Sequence, residues 1–170
     1  MKLQLRILIL LSLVLFASPL LAQDETPIPK PNGWYLELLG NGGLYSINYE
    51  RRIRPKMVMR YGAANWTSED WFSDSETRIY AFPITTSYLV GSSKHKFELG
   101  GGILVGHRKD EFDKGFFLSL TGIAGYRYEA DGGFLFRAGL TPFYGLTKGD
   151  SAYPEDGALG SAGISFGFRH

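Results

Sequence analysis

The chain lacks cysteine entirely and has only three histidines among its 170 residues. The absence of cysteine excludes disulfides, thiolate metal sites and cysteine nucleophiles. An excess of one charge sign is also missing, because 18 Lys and Arg stand against 17 Asp and Glu. This balance excludes the basic surplus typical of nucleic-acid binders. Hydrophobic residues make up 44% and no long apolar run follows residue 22, which excludes a helical membrane bundle.

The first 22 residues predict a secretory signal peptide. Lys2 and Arg6 precede an apolar stretch over 7–16, and the small residue Ala22 ends the segment. A transmembrane anchor is the alternative, but the stretch is shorter than the ~20 residues that a spanning helix needs, and Pro19 interrupts its end. At this length one domain is expected. We therefore predict three parts: a signal peptide over 1–22, a Pro-rich periplasmic lead-in over 23–32, and one domain over 33–170.

The domain is rich in what β-structure uses, with 22 glycines and 15% aromatic residues. Apolar residues alternate with small or polar ones at a period of two, which predicts strands, and no segment has a helical period with caps. Eight strands are predicted, at Trp34–Leu39, Leu44–Ile53, Met57–Trp66, Arg78–Val90, His95–His107, Phe116–Glu129, Phe134–Thr147 and Ala158–Arg169.

The connections between these strands alternate in kind. Tight turns with Pro or Gly are predicted at 54–56, 91–94 and 130–133, whereas long charged loops are predicted at 67–77, 108–115 and 148–157. The short segment 40–43 occupies the place of a fourth long loop. Tight turns at one end, long loops at the other and an even strand number indicate an up-and-down meander.

The two faces of the strands differ in a way that indicates the surroundings. In the fifth strand Phe97, Leu99 and Ile103 share one face, and Lys96 and Glu98 share the other with two glycines. A glycine-rich, charged face cannot form a dry core, and a large apolar face in water would aggregate. Lipid outside and a polar lumen inside satisfy both faces, and the sheet must then close. We predict an all-β, eight-stranded antiparallel transmembrane β-barrel; a soluble sandwich is the alternative.

Two further expectations concern glycines and aromatics. Inward glycines at 100, 102, 125, 139, 145, 163 and 167 are expected to leave room for long charged neighbours. Aromatic residues near strand ends are expected to form belts at the membrane interfaces. The predicted belts contain Trp34, Tyr35, Tyr49, Trp66, Trp71, Tyr80, Tyr88, Tyr126, Tyr128, Phe134, Phe136 and Tyr144.

Four segments, at 45–52, 97–102, 125–128 and 134–142, resemble small outer-membrane β-barrel proteins of Bacteroidetes-type bacteria. The resemblance covers about 33–170 and implies an outer-membrane location after secretion. It implies no particular activity, because most members of that group have none assigned. It also implies that the barrel-assembly machinery reads the last strand, where Ile164, Phe166 and Phe168 alternate and His170 replaces a terminal aromatic.

Seven charged residues fall on the predicted inward face. They predict an ion-pair network that plugs the lumen, since eight strands leave no porin-sized channel and close charges must pair. A proton or ion path, a narrow porin-like pore or a pocket for an anionic ligand are the alternatives. The predicted network consists of Glu37, Glu50, Arg60, Lys96, Glu98, Arg127 and Arg137.

His107 is the weak candidate for a catalytic residue. Lipid A deacylases and acyltransferases are small outer-membrane barrels, and acidic residues follow His107 in the next loop. No G-x-S-x-G pattern accompanies it, and the histidines lack metal-ligand spacing. A rim position without a catalytic role is therefore favoured, an enzyme is the less favoured alternative, and no cofactor or metal is expected.

The long loops suggest surface contacts. Their acidic residues form a predicted solvated rim next to lipopolysaccharide, without the spacing of a calcium loop. Trp71 and Phe72 lie together in the first long loop and are candidates for contact with a partner or the membrane interface. A non-enzymatic structural or surface-binding protein is the leading prediction, with outer-membrane lipid, lipopolysaccharide and an unknown extracellular ligand as partners and no nucleic acid.

Overall fold

The computed structural model describes residues 30–69, 76–91, 93–109, 114–147, 153–154 and 158–170. The predicted signal peptide and most of the lead-in lie outside these residues. Eight strands form, each built from alternating inward and outward side chains. They are β1 (Asn32–Leu38), β2 (Tyr45–Arg54), β3 (Met57–Glu69), β4 (Glu76–Val90), β5 (His95–Lys109), β6 (Lys114–Glu129), β7 (Phe134–Gly145) and β8 (Ala158–Arg169).

The strands pair antiparallel in chain order, and β1 also pairs with β8, so that the sheet closes into a barrel. The prediction of an all-β, eight-stranded antiparallel up-and-down barrel is confirmed. The described residues contain no helix long and apolar enough to cross a membrane. Closure pairs the backbone of every strand on both sides and leaves no free sheet edge.

The predicted strand bounds differ most at the long-loop end of β3 and β4. The prediction stopped β3 at Trp66 and began β4 at Arg78, whereas the pairing continues through Thr67 with Arg78 to Glu69 with Glu76. These added pairs are polar, so hydrophobic alternation no longer marks them. The backbone ladder extends beyond the apolar band of the barrel.

The β1–β2 connection does not stand away from the barrel as a loop. Residues 40–42 are buried, and the Asn41 side-chain amide donates to the Thr121 hydroxyl at 2.5 Å and to the Gly122 carbonyl at 3.3 Å. The hydroxyl of Ser161 in β8 donates to the Leu39 carbonyl at 2.6 Å. This connection therefore folds into the mouth of the barrel at the long-loop end.

The outside of the barrel is apolar and the inside is mixed. Along β4, buried Thr85, Ser87 and Leu89 alternate with exposed Tyr88 and Val90. Large outward side chains are strongly exposed around the whole barrel. Among the most exposed are Phe116 (75%), Phe168 (65%), Leu140 (62%) and Ile47 (60%).

At two of the inward glycines, Gly125 and Gly139, the backbone of the neighbouring strand occupies the space that a side chain would need. A Cβ built on Gly125 would lie 2.4 Å from the Ala138 carbonyl oxygen and 2.6 Å from the Gly139 Cα, and Gly139 is equally close to the backbone of β6. The nearest atoms belong to the neighbouring strand and not to charged side chains. These two glycines let β6 and β7 approach each other closely inside a narrow barrel.

The aromatic prediction is wrong at two positions. Tyr35 is 4% exposed and shares the inward face with Glu37, because it is two residues away on the same strand. Trp66 also faces inward, against the buried apolar cluster of the barrel. Other predicted members lie outside in contact with one another, such as Trp34 and Tyr49, whose ring centroids are 5.1 Å apart. Trp71 lies outside the described residues.

Candidate functional site: the filled interior of the barrel

Six of the seven charged residues predicted for the lumen meet inside the barrel. Each comes from a different strand and is at most 6% exposed, because an inward position on a closed sheet has little access to solvent. Three carboxylates face three guanidinium groups, so their formal charges cancel. We call these six residues the interior network: Glu37, Glu50, Arg60, Glu98, Arg127 and Arg137.

Glu50 and Glu98 stand between the arginines. Arg127 donates through Nη1 to Glu50 Oε2 at 2.7 Å, and Arg60 donates through Nε to the same oxygen at 3.3 Å. Arg137 donates through Nε to Glu98 Oε2 at 2.9 Å, and Arg60 pairs with Glu98 as well. Each carboxylate thus serves at least two guanidinium groups, which compensates its desolvation.

The outer members of the interior network are held by polar and aromatic groups. Glu37 accepts from the hydroxyls of Ser46 at 3.3 Å and Ser165 at 3.5 Å, and it lies 3.7 Å from Arg137. The Tyr35 ring lies beneath the Arg137 guanidinium, 5.3 Å from ring centroid to Cζ, which is a cation–π contact. Arginine suits such a site because its planar guanidinium group can donate hydrogen bonds to carboxylates while it stacks on an aromatic ring.

Lys96, the seventh predicted residue, lies away from the interior network. It is paired with Glu129 at 2.7 Å near the tight-turn end and is partly exposed. Glu129 also receives Arg127 at 2.6 Å and Arg169 at 3.0 Å, and it pairs with Arg52. The predicted network did not include Glu129, Arg52 or Arg169.

A signal for the missed residues was present in the alternation. Glu129 follows Arg127 by two positions and Arg52 follows Glu50 by two, so each shares the inward face of its predecessor. Alternation assigns the face but not the height along the barrel axis. The convergence on Glu129 depends on the stagger between strands, which the sequence alone does not display.

The interior at the long-loop end is apolar, contrary to the expected polar lumen. Phe117 from β6 is 2% exposed and its ring lies over Gly106 of β5. Tyr153 closes this part from above, with its ring centroid 5.3 Å from that of Phe117, and burial raises the pKa of its phenol. The buried cluster, hereafter the apolar plug, consists of Ala64, Ile79, Ala81, Leu104, Phe117 and Phe143.

Little space remains between the interior network and the apolar plug. A cavity of about 10 Å³ lies beside Glu37, Glu98, Arg137, Thr141 and Ser165. This is roughly the space that one water molecule needs. The described interior is filled by side chains, and this arrangement favours the predicted plug over a pore or a ligand pocket at this level of the barrel.

The other candidate residues do not join the interior. His107 faces outward by alternation at the long-loop end and packs against the Phe116 ring at 4.9 Å between centroids. In the described part of the chain its ring has no hydrogen bond or ion pair, so a catalytic role stays a prediction. Trp71 and Phe72 lie outside the described residues. No group of three His, Asp or Glu side chains among the described residues is arranged to hold a metal ion.

No protein-family model matches the chain, and no curated protein matches it.

Proposed function

We propose that this chain is a non-conducting β-barrel of the outer membrane, with a structural or surface-binding role through its long charged loops. The observation that carries the proposal is the inverted distribution of side chains. Large apolar residues cover the outside of the barrel, whereas three glutamates and three arginines are buried inside. A barrel with this distribution is suited to lipid outside and to compensated charge within.

The outer surface supports this proposal in detail. Large apolar patches are rare on soluble monomers, yet β5, β6, β7 and β8 all carry several exposed large hydrophobic side chains on their outward faces. Aromatic rings gather towards the tight-turn end, where Phe134 packs on Phe168 at 5.8 Å and Phe136 on Phe166 at 5.2 Å between centroids. Aromatic girdles at the two interfaces are typical of such barrels.

The filled interior supports the non-conducting part of the proposal. Ions crossing the barrel would have to separate the interior network and then pass the apolar plug, whose residues are almost fully buried. Breaking one buried pair costs several kcal/mol. We therefore expect planar-bilayer recordings of the folded protein to lack discrete conductance steps, and stable steps would contradict a plugged interior.

A charge placed on the outer face tests the membrane location directly. Leu140 lies near the middle of β7 and is 62% exposed. If the barrel lies in lipid, Leu140→Arg should lower the stability of the vesicle-folded protein by about 2–4 kcal/mol, as expected for arginine near the bilayer midplane. The measurement is a denaturant titration of the folded band, which migrates differently on gels with and without heating.

Leu39→Arg is the matched control, because Leu39 is 54% exposed but lies in the β1–β2 connection. It should change stability by less than about 0.5 kcal/mol. Equal and small effects of both arginines, together with recovery of the native protein as a soluble monomer, would overturn the membrane proposal. Fractionation of cells should place the protein with outer-membrane lipid and lipopolysaccharide after signal-peptide cleavage near Ala22.

A further inference from the structure

A second, open site lies at the tight-turn end of the barrel. It is a cleft of about 470 Å³ between the ends of β2, β5, β6 and β8 and the turns beside them. Its volume falls in the range of about 300–1,000 Å³ that is usual for small-ligand sites. We call it the basic cleft, and its charged lining consists of Lys30, Arg52, Lys94, Lys96, Arg169, Glu129 and Asp131.

Positive charge is in excess in this cleft. Among the described residues, five cations line it against two carboxylates, which gives these side chains a formal charge of +3. Asp131 is largely exposed and is engaged by Lys94 at 2.6 Å. The interior network, by contrast, balances three guanidinium groups with three carboxylates.

Three of the other cations share Glu129. Its two oxygens meet Arg52, Lys96 and Arg169 from the cleft, as well as Arg127 from the interior. A carboxylate has about four lone-pair sites, so these four cations saturate Glu129. The Nε atom of Arg52 is buried and has no hydrogen-bond partner within the described residues.

The geometry of the cleft is fixed by the β6–β7 turn. Gly133 adopts φ +104°, and a Cβ there would lie 2.4 Å from the Arg169 carbonyl oxygen. The Arg169 amide donates to the Gly133 carbonyl at 2.7 Å, and the Lys30 ammonium donates to the Asp131 carbonyl at 3.1 Å. These contacts hold cations from distant parts of the chain around one opening, which lowers the cost of binding.

We propose that the basic cleft binds a phosphate-bearing anion. A dianionic phosphate matches the surplus of positive charge, and guanidinium and ammonium groups are its usual protein donors. The same chemistry is offered by a soluble phosphate compound or by a phospholipid headgroup at the membrane surface. Only the headgroup source rests on the proposed membrane location.

The soluble source is tested with inorganic pyrophosphate added to the folded full chain in zwitterionic detergent micelles. Calorimetry should show binding that weakens as salt rises from 50 to 200 mM, as expected for a charge-driven site. The variant Lys94→Gln/Lys96→Gln should weaken binding at least tenfold. The matched control Lys56→Gln/Lys109→Gln removes two exposed lysines outside the cleft and should bind as the unaltered protein does.

The headgroup source is tested in phosphatidylcholine nanodiscs with and without phosphatidylglycerol, followed by native mass spectrometry of retained lipid. Retention of phosphatidylglycerol by the unaltered protein and its loss in Lys94→Gln/Lys96→Gln would assign the anion to a lipid. Pyrophosphate binding without lipid retention would assign it to a soluble compound.

Three results would overturn the proposal. The first is that Lys94→Gln/Lys96→Gln binds pyrophosphate and retains phosphatidylglycerol as well as the unaltered protein does. The second is that the control variant loses as much pyrophosphate binding as Lys94→Gln/Lys96→Gln, and the third is that the unaltered protein binds citrate as tightly as pyrophosphate. The gel-mobility shift on heating confirms that each variant is folded, and it also reports membrane-barrel behaviour independently of anion binding.

Discussion

The two halves of the barrel interior are filled by opposite chemistry on the same backbone pattern. Towards the tight turns, the inward positions carry the interior network. Its member Arg127 contacts Glu50 and Glu98 within the network and also Glu129 beyond it. Towards the long loops, the inward positions carry the apolar plug, in which Leu104 is fully buried. An inward position therefore accepts either a charged or an apolar side chain, provided that the neighbouring side chains pair or pack with it.

The difference teaches how each half specifies its structure. Charges in the interior network depend on particular partners, because a buried ion without one costs several kcal/mol. Apolar side chains in the plug depend on volume and shape, and they tolerate exchange for groups of similar size. We expect the network half to respond to the loss of single charges and the plug half to the loss of volume.

The largest effect is expected for Arg127→Ala. It removes the cation shared by three carboxylates, all at most 7% exposed in their side chains. We expect a loss of about 4 kcal/mol in the free energy of unfolding, within the range for removing one partner of a buried ion pair. A denaturant titration of the folded gel band measures this loss, and the midpoint of its heat-induced conversion should fall as well.

Arg51→Ala is the control, because Arg51 lies on the exposed face of β2 next to the network residue Glu50. It should cost less than about 0.5 kcal/mol. Adding Glu50→Gln to Arg127→Ala should restore part of the loss, since it neutralises one stranded carboxylate. Equal melting of Arg127→Ala and Arg51→Ala would remove the distinction between the two halves.

A somewhat smaller loss is expected for Leu104→Ala in the apolar plug. Removal of a buried leucine side chain leaves a cavity and should cost about 3 kcal/mol. The same denaturant titration measures it, with Leu99→Ala on the outer face of β5 as control. Because Leu99 is 55% exposed, its truncation opens no interior cavity and should cost less. A larger loss for Leu99→Ala would show that the plug is not a packed core.

An intermediate effect is expected where the walls of the network half approach most closely. Gly125 is the register partner of Glu98, and a Cβ there would collide with the backbone of β7. Gly125→Ala should therefore destabilise the barrel by about 1–3 kcal/mol, the usual cost of overpacking. Gly132→Ala in the β6–β7 turn meets no atom within 4 Å and should be close to neutral. Similar stabilities of the two variants would argue against close strand approach.

The smallest effect is a pH dependence of the stability, which arises from Tyr153 over the apolar plug. Burial raises the pKa of the Tyr153 phenol, so the folded state keeps a proton that the unfolded state loses above about pH 10. The sign is that stability falls as pH rises through this range, by less than about 1.4 kcal/mol per pH unit for one group. Tyr153→Phe should show a shallower decline in alkaline denaturant titrations, and parallel curves would place the phenol in solvent.

The sequence predicted the strands and the closed up-and-down order because alternation and turn residues are local signals. The bounds of β8 agree at both ends, and those of β5 and β6 fall short only by two residues at the long-loop end. Alternation also placed six network residues on the inward face. The belt prediction for Tyr35 is wrong, because alternation puts Tyr35 on the inward face with Glu37.

What sequence reasoning missed depends on contacts between distant strands. Glu129 meets Arg52 across 77 residues of chain, and no local pattern brings them to the same height. The apolar plug was missed for a related reason: Leu104 and Phe117 are ordinary strand residues, and only closure of the barrel makes them neighbours. The Asn41 contact with Thr121 likewise requires the fold to exist first.

The pairing of β1 with β8 has a consequence for how the barrel forms. Seven of the eight strand pairings join strands that are consecutive in the chain and can form as local hairpins. The β1–β8 pairing is the seam that closes the barrel, and it brings Ser165 to Glu37 across 128 residues. Such a contact is entropically the most expensive to form and is slow. Until this seam closes, the inward arginines and glutamates lie on one face of an open sheet and are not yet enclosed. Sealing the interior is therefore a late step in folding, and the time taken to close one seam sets how long those charges remain accessible.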